Sequence, residues 1–184
     1  MSRLRQSKRG LSQVVTTLIL LVVSVLLTSV VTYYATNITM TRTQQEEARI
    51  TKQHIWANGT STVAGFKLQN LGGRDILVDK ITIRDVEPPW VNIYYNRVSP
   101  GTTILGSMNI TSSAKLTGPQ VILFGRNYTQ ASMDIPLASG GEILFYVKEP
   151  PNISVQDVGT TCSLAVFTVN GQYRVECNVE SASP

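Results

Sequence analysis

Three kinds of residue in the 184-residue chain could carry chemistry, and each is sparse enough to count. Asn-x-Ser/Thr tripeptides, the acceptors of N-linked glycan, begin at Asn37, Asn58, Asn109, Asn127 and Asn152. With ten Asn and 36 Ser or Thr in the chain, about two such tripeptides would arise by chance, so five is an excess. The second kind is a pair of cysteines, Cys162 and Cys177, set on either side of Asn170-Gly171. The third is His54, the single histidine, which argues against a His-based catalytic triad or a His-metal cluster and reads as a surface or packing residue. Asp75, Asp79, Asp85 and Glu87 lack the spacing of a calcium loop and read as solvated strand ends. Gly72-Gly73 reads as a turn, and Trp90, Tyr94 and Tyr95 as core. The expectation is a protein with no catalytic residue, no metal and no cofactor.

The element that must place these residues is the run from Gly10 to Ala35, GLSQVVTTLILLVVSVLLTSVVTYYA. No charge occurs from Leu11 to Thr41, a stretch that as helix measures about 45 Å against a bilayer core of ~30 Å. Arg3, Arg5, Lys8 and Arg9 precede it without an acidic residue, so residues 1–10 are expected in the cytoplasm and the remainder outside. Those four account for the whole net charge of +4: the other twelve basic residues balance twelve acidic ones. The basic balance thus reports membrane topology and excludes a nucleic-acid footprint. Ser12, Thr16, Thr17, Ser24, Thr28, Ser29 and Thr32 interrupt the apolar run with small hydroxyls suited to close helix–helix approach. Free of Gly and Pro up to Ala57-Asn58-Gly59, the helix is expected to continue to Trp56, with Glu46 and Arg49 as an i, i+3 pair on it.

The junction Lys8-Arg9-Gly10-Leu11-Ser12-Gln13 resembles the class III leader of archaeal type IV pilins and archaellins. That resemblance implies cutting between Gly10 and Leu11 by a membrane-embedded prepilin peptidase, which leaves the apolar helix on the mature chain. It also implies assembly-machinery partners in the membrane and polymerisation with copies of itself through a central helix bundle. Val15 stands at the fifth mature position, where bacterial pilins carry Glu, and Ser12-Gln13-Val14-Val15 replaces the Gly-rich start of archaellins, so a pilus subunit is favoured over a motility filament. Because exposed domains of the family are often N-glycosylated, glycan is expected at Asn58, Asn109, Asn127 and Asn152, with Asn37 set apart because it lies on the helix.

Beyond the helix the apolar period falls to two: Phe66 and Leu68 alternate with Lys67 and Gln69, and Ile81 and Ile83 with Lys80, Thr82 and Arg84. The two runs read as a hairpin about Gly72-Gly73. Thr102 to Asn109 is a weaker strand candidate, while Gln120 to Gly125 and Glu142 to Lys148 read as strands buried on both faces. The expected fold is α+β: a long N-terminal hydrophobic α-helix followed by one antiparallel β-sandwich, Ig-like or barrel-like, with a single core. The expected division is leader 1–10, helix 11–58 and extracellular domain 59–184. A two-residue type I′ turn at Asn170-Gly171 would leave Cys162 and Cys177 diagonal by one pair, so bonding them requires either a bulge or a four-residue loop from Thr168 to Gly171. A Cys162–Cys177 disulfide is expected on the external side of the membrane. The functional expectation is a structural, adhesive pilus subunit. Its rivals are an archaellin and a single-pass anchored β-sandwich that binds a ligand without polymerising.

Overall fold

A computed structural model describes residues 3–182 except 60, 100 and 103. The chain divides into two units, residues 1–43 and 44–184. The first is the helix α1, Arg3–Gln44, 42 residues long. The second holds ten strands: β1 Ala48–Ala57, β2 Thr62–Asn70, β3 Ile76–Ile83, β4 Ile93–Arg97, β5 Gln120–Leu123, β6 Arg126–Gln130, β7 Ile135–Leu137, β8 Glu142–Lys148, β9 Thr161–Thr168 and β10 Gln172–Ser181. The fold is α+β, one apolar helix followed by a β-sandwich domain whose pairings are antiparallel but for one.

The helix ends twelve residues before its expected limit at Trp56, so the 11–58 and 59–184 boundaries are corrected to a break near Gln44. Residues 48–57 carry no helix breaker, but Ile50, Thr51, Ile55 and Trp56 are β-branched or aromatic, and tertiary pairing decides their state. They form β1, which lies between β2 and β10. The expected Glu46–Arg49 pair is not made. Glu46 instead accepts hydrogen bonds from Asn170 Nδ2, at 3.0 Å, and from the Thr168 hydroxyl.

The strand order is β5-β6-β4-β8-β2-β1-β10-β9-β3-β7. The parallel pairing of β1 with β10 (Ile55–Val179, Trp56–Glu180, Ala57–Ser181) joins a six-stranded and a four-stranded sheet. The two sheets enclose one apolar core. Phe66, Leu68, Ile143, Phe145 and Val147 come from the larger sheet and Val78, Ile81, Ile83, Leu164 and Val166 from the smaller. At about 1.5–3 kcal/mol per fully buried large apolar side chain, this layer is the main stabilising term of the domain.

A second cluster lies apart from it: Trp56, Val63, Tyr94, Met108, Leu116, Leu123, Tyr128, Leu144 and Tyr146. Successive strand residues point to opposite faces, so Tyr146 and Leu144 take the side of the larger sheet away from Phe145 and Val147. Among the described residues of 98–119, which cover that side, none is in a strand, and Met108 and Leu116 of that segment are buried against the sheet. Both the expected single core and the strand at Thr102–Asn109 are therefore corrected; Pro100 of the expected Pro100-Gly101 turn lies outside the described residues. β8 is buried on both faces as expected, but β5 is an edge strand with Ile122 exposed. Gly65 makes room for the second cluster, since a Cβ there would lie 3.0 Å from the Tyr146 ring and 3.1 Å from the Trp56 ring.

β2 and β3 do not pair with each other. β2 pairs with β1 and β8, and β3 with β7 and β9, so residues 71–75 cross between sheets instead of closing a hairpin. Gly72 is needed for a close approach, because a Cβ on it would lie 2.6 Å from the Gln45 carbonyl oxygen and 2.7 Å from the Glu47 nitrogen. In the last hairpin Gln172 pairs with Phe167, which makes the loop the four-residue Thr168–Gly171 and not a type I′ turn. The Thr168 hydroxyl closes that loop by accepting from the Gly171 N–H at 3.1 Å.

Candidate functional site

α1 is exposed at every side chain from Leu11 to Thr41, and Gly10–Thr41 is long and apolar enough to cross a membrane. Its hydroxyls are satisfied within the helix: Thr16, Thr28, Ser29, Thr32 and Thr36 each donate to the carbonyl four residues back, and Thr17 and Ser24 to the one three back, all at 2.8–2.9 Å. What they offer a neighbouring helix is therefore small volume and not hydrogen-bonding need. At about 100° per residue, Thr17, Ser24, Thr28, Thr32, Thr36 and Thr39 fall within roughly a third of the circumference. Gly10 lies in the same helix with nothing within 4 Å of an added Cβ.

The four sequon asparagines of the β-sandwich unit are accessible. Asn109, Asn127 and Asn152 are exposed and Asn58 is half-buried, its Oδ1 accepting from the Ser61 N–H at 2.8 Å across the β1–β2 turn. Thr60 of that sequon lies outside the described residues. Asn37 is exposed on α1. Asn152 sits at φ +60° in a loop tied down by Arg84, which donates to its carbonyl at 2.9 Å and to Asp157 Oδ1 at 2.7 Å. Hydrogen bonding from Arg84, then from Ser154, holds the Asp157 carboxyl below the usual range.

Cys162 and Cys177 are directly opposite each other in the β9–β10 ladder and are unbonded thiols in this structure. The pairs Thr168–Gly171 and Thr160–Val179 are joined by backbone hydrogen bonds of 2.8 and 2.9 Å, and the cysteine pair lies an even number of residues from both. It therefore occupies a hydrogen-bonded site of the ladder, where Cα atoms sit about 5.5 Å apart, within the range a disulfide spans. Burial, with the neighbouring Cys162 adding to it, pushes the Cys177 thiol up to about 12.

A further cluster joins three residues that no sequence spacing links. His54 Nδ1 lies 2.9 Å from Glu180 Oε1, and His54 Nε2 lies 2.5 Å from Ser107 Oγ. A carboxylate only accepts, so in the neutral imidazole Nδ1 carries the proton and Nε2 is left to accept from the serine hydroxyl. A bulge in β1 aims the ring. The register with β2 shifts between Thr51 and His54, with Lys52 at φ +55°. Ile50 before it and Ile55 after it both face the inter-sheet core, leaving His54 and Trp56 on the other side. The imidazole stacks on the indole of Trp56, ring centroids 5.4 Å apart and planes within 5°. Glu180 reaches it from the parallel partner of Trp56, and Ser107 from the covering segment.

No protein-family model matches the chain, and no curated protein matches it. The site residues are thus weighed on geometry alone. His54 is not merely a packing residue: its two ring nitrogens hydrogen-bond a carboxylate and a hydroxyl at once. The sequence carried one usable signal, a lone histidine two residues from a tryptophan in a β-branched run. Its partners, 53 residues on at Ser107 and 126 on at Glu180, are ordinary in type and context. Among the described residues no group of three His, Cys, Asp or Glu is placed to hold a metal ion. Asp85 lies 3.6 Å from Arg174, and Asp75 accepts from the Ser139 N–H.

Proposed function

We propose that this chain is a structural subunit of an extracellular type IV pilus of the archaeal kind: a prepilin cut between Gly10 and Leu11 that polymerises through α1 and displays its β-sandwich on the filament surface. The observation that carries this reading is Gly10. A glycine inside a helix costs about 1 kcal/mol relative to alanine, and here it makes no contact that would need the missing side chain. A reader outside the chain accounts for it, and a peptidase that cuts where a basic leader meets an apolar helix is such a reader. The exposed helix from Leu11 to Thr41, with its small-residue stripe and no charge, supports burial against lipid first and other copies afterwards. Four accessible sequon asparagines on the outer domain agree with a glycosylated surface. The membrane, the prepilin peptidase, the assembly machinery and further copies of the chain are the partners this reading implies.

Terminal-peptide mass spectrometry on sheared surface filaments tests it. The expected mature terminus is Leu11, and Gly10→Phe should abolish cutting and hold the protein in the membrane fraction. A terminus at Met1 or Ser2 would overturn the reading. Ser24→Leu and Thr28→Leu should leave insertion intact and lower filament yield, because overpacking a tight seam costs ~1–3 kcal/mol per site while the same change facing lipid costs almost nothing.

A second reading is favoured by one observation. All seven hydroxyls of the stripe and its flanks from Thr16 to Thr36 are satisfied by their own backbone, as they would be in a lone anchor. A single-pass anchored β-sandwich that binds without polymerising is the reading left if correctly cut protein forms no filament beside its secretion machinery.

A further inference from the structure

We propose that Ser107, His54 and Glu180 form a nucleophilic serine site that hydrolyses esters with short acyl groups. The order of the hydrogen bonds, carboxylate to Nδ1 and Nε2 to hydroxyl, is the order a serine nucleophile requires. The imidazole is held on one side by Glu180 and on its face by Trp56, so it has one orientation, and the imidazolium formed in the reaction gains both a carboxylate and an aromatic face. Ser107 is exposed and borders an open pocket of about 230 Å³ lined by Leu105, Phe124, Tyr128, Leu144 and Tyr146, with Arg126. That volume is below the ~300–1,000 Å³ of most ligand clefts and suits a short acyl group.

Lys52 supplies the charge that such a reaction needs. Its ammonium donates to the carbonyls of Ile104, at 2.5 Å, and of Gly106, which leaves one of three N–H groups to answer an oxyanion formed at the next residue. Lys52, two residues before His54, sits at φ +55° in the β1 bulge, and Phe124 at φ +53° forms with Gly125 the turn between β5 and β6 that borders the pocket. A non-glycine residue stays in that region only where the surrounding structure imposes it, here the same bulge that aims His54.

The step runs as follows in atoms. The Ser107 oxygen bonds to the ester carbonyl carbon while its proton passes to His54 Nε2, and the carbonyl π pair moves onto oxygen beside Lys52. Collapse breaks the bond to the leaving alcohol, which takes the proton from His54. Water then adds to acyl-Ser107 by the same route, releasing the acid and restoring the hydroxyl, so ester and water yield acid and alcohol. Ser107 and His54 are the catalytic residues, and Glu180 is a positioning residue.

The test is made on the full-length chain in detergent and does not depend on polymerisation. Treatment with an alkyl fluorophosphonate, which loses fluoride as the serine oxygen bonds to phosphorus, should give one adduct, mapped to Ser107, at least 100-fold faster than at any other serine. p-Nitrophenyl acetate should be hydrolysed, and Ser107→Ala should abolish both reactions. His54→Gln should slow both at least 100-fold. Glu180→Gln should slow them about tenfold and Glu180→Asp restore part of the rate at unchanged melting temperature. No adduct on the parent protein, adducts spread evenly over exposed serines, or labelling of Ser107 unaffected in a folded His54 or Glu180 variant would each overturn the proposal and leave the relay as a strap for residues 104–109. The parent result stands even where a variant fails to fold.

Discussion

The two faces of the larger sheet are built by different means. Toward the smaller sheet it presents Phe66, Leu68, Ile143, Phe145 and Val147, apolar side chains that need only volume and exclusion of water. On its other face it presents Trp56, Tyr94, Tyr128 and Tyr146, large rings with polar tips. Two of those tips fasten the cover: Tyr146 donates to the Asn109 carbonyl at 2.6 Å and Tyr94 to the Gly118 carbonyl at 3.2 Å. The first face closes by packing strand on strand, the second by fixing irregular chain with single hydrogen bonds. The difference teaches where chemistry can be carried. A strand-on-strand core leaves no room for a pocket, whereas a covering segment held at a few points brings Ser107 against His54 and leaves space beside it.

The comparison is tested most severely in the inter-sheet core. Phe66 and Phe145 stack with centroids 5.0 Å apart and are both fully buried. Phe145→Ala should cost about 3–5 kcal/mol, a fall of ~10 °C or more in thermal melting. A fall as small as that of a cover-side change would break the distinction between the faces.

The cysteine pair, on the inter-sheet side, is the next largest. Oxidation should give an intact mass 2 Da lower (about one hydrogen from each thiol) and raise stability by about 3 kcal/mol for a loop of this size. With the Cys177 thiol pushed up to about 12, little thiolate is present at neutral pH, so the folded reduced protein should react slowly with iodoacetamide and the bond should form mainly before folding is complete. Rapid alkylation of folded protein would show the β9–β10 pair to be more open than this face requires.

On the cover side, Tyr146→Phe removes one hydrogen bond and leaves the ring. The expected loss is ~0.5–1.5 kcal/mol, with faster backbone hydrogen exchange confined to residues 98–119. Exchange that rises across β8 and β2 as well would mean the cover is part of the main cooperative unit. The smallest effect belongs to the surface loop carrying Asn152. Asp157 titrates below the ordinary carboxylate range because Arg84 hydrogen-bonds it, so its contribution is complete above about pH 4 and is lost as pH falls through the lowered folded value. Melting curves of Arg84→Gln and the parent should therefore differ slightly at neutral pH and converge in acid.

Much of this architecture is local in origin. The uncharged run from Leu11 to Thr41 is long and apolar enough to cross a membrane, and helix pairs each of its backbone groups inside the segment. Period-two apolar spacing and short strands identify the sandwich, and β8 was legible as a strand buried twice because its run of five apolar residues is unbroken. The helix limit was misread because the absence of Gly and Pro permits helix without requiring it. The register of the final hairpin was undecided because Asn170-Gly171 suits a two-residue turn, while Thr168 and Glu46 hold the longer loop.

The amino-acid sequence by itself determines that one end of this chain is apolar enough to cross a membrane and that the rest is not, because transfer free energy sums residue by residue and needs no partner. It determines equally that the asparagines of four sequons follow the apolar run. Only the tertiary structure decides that β1 bulges at Lys52 and meets β10 in parallel, and only that places Glu180, His54 and Ser107 within hydrogen-bonding reach. Contacts between residues 53 and 126 positions apart depend on which strands pair and on which face each side chain emerges, and neither is a property of any one segment.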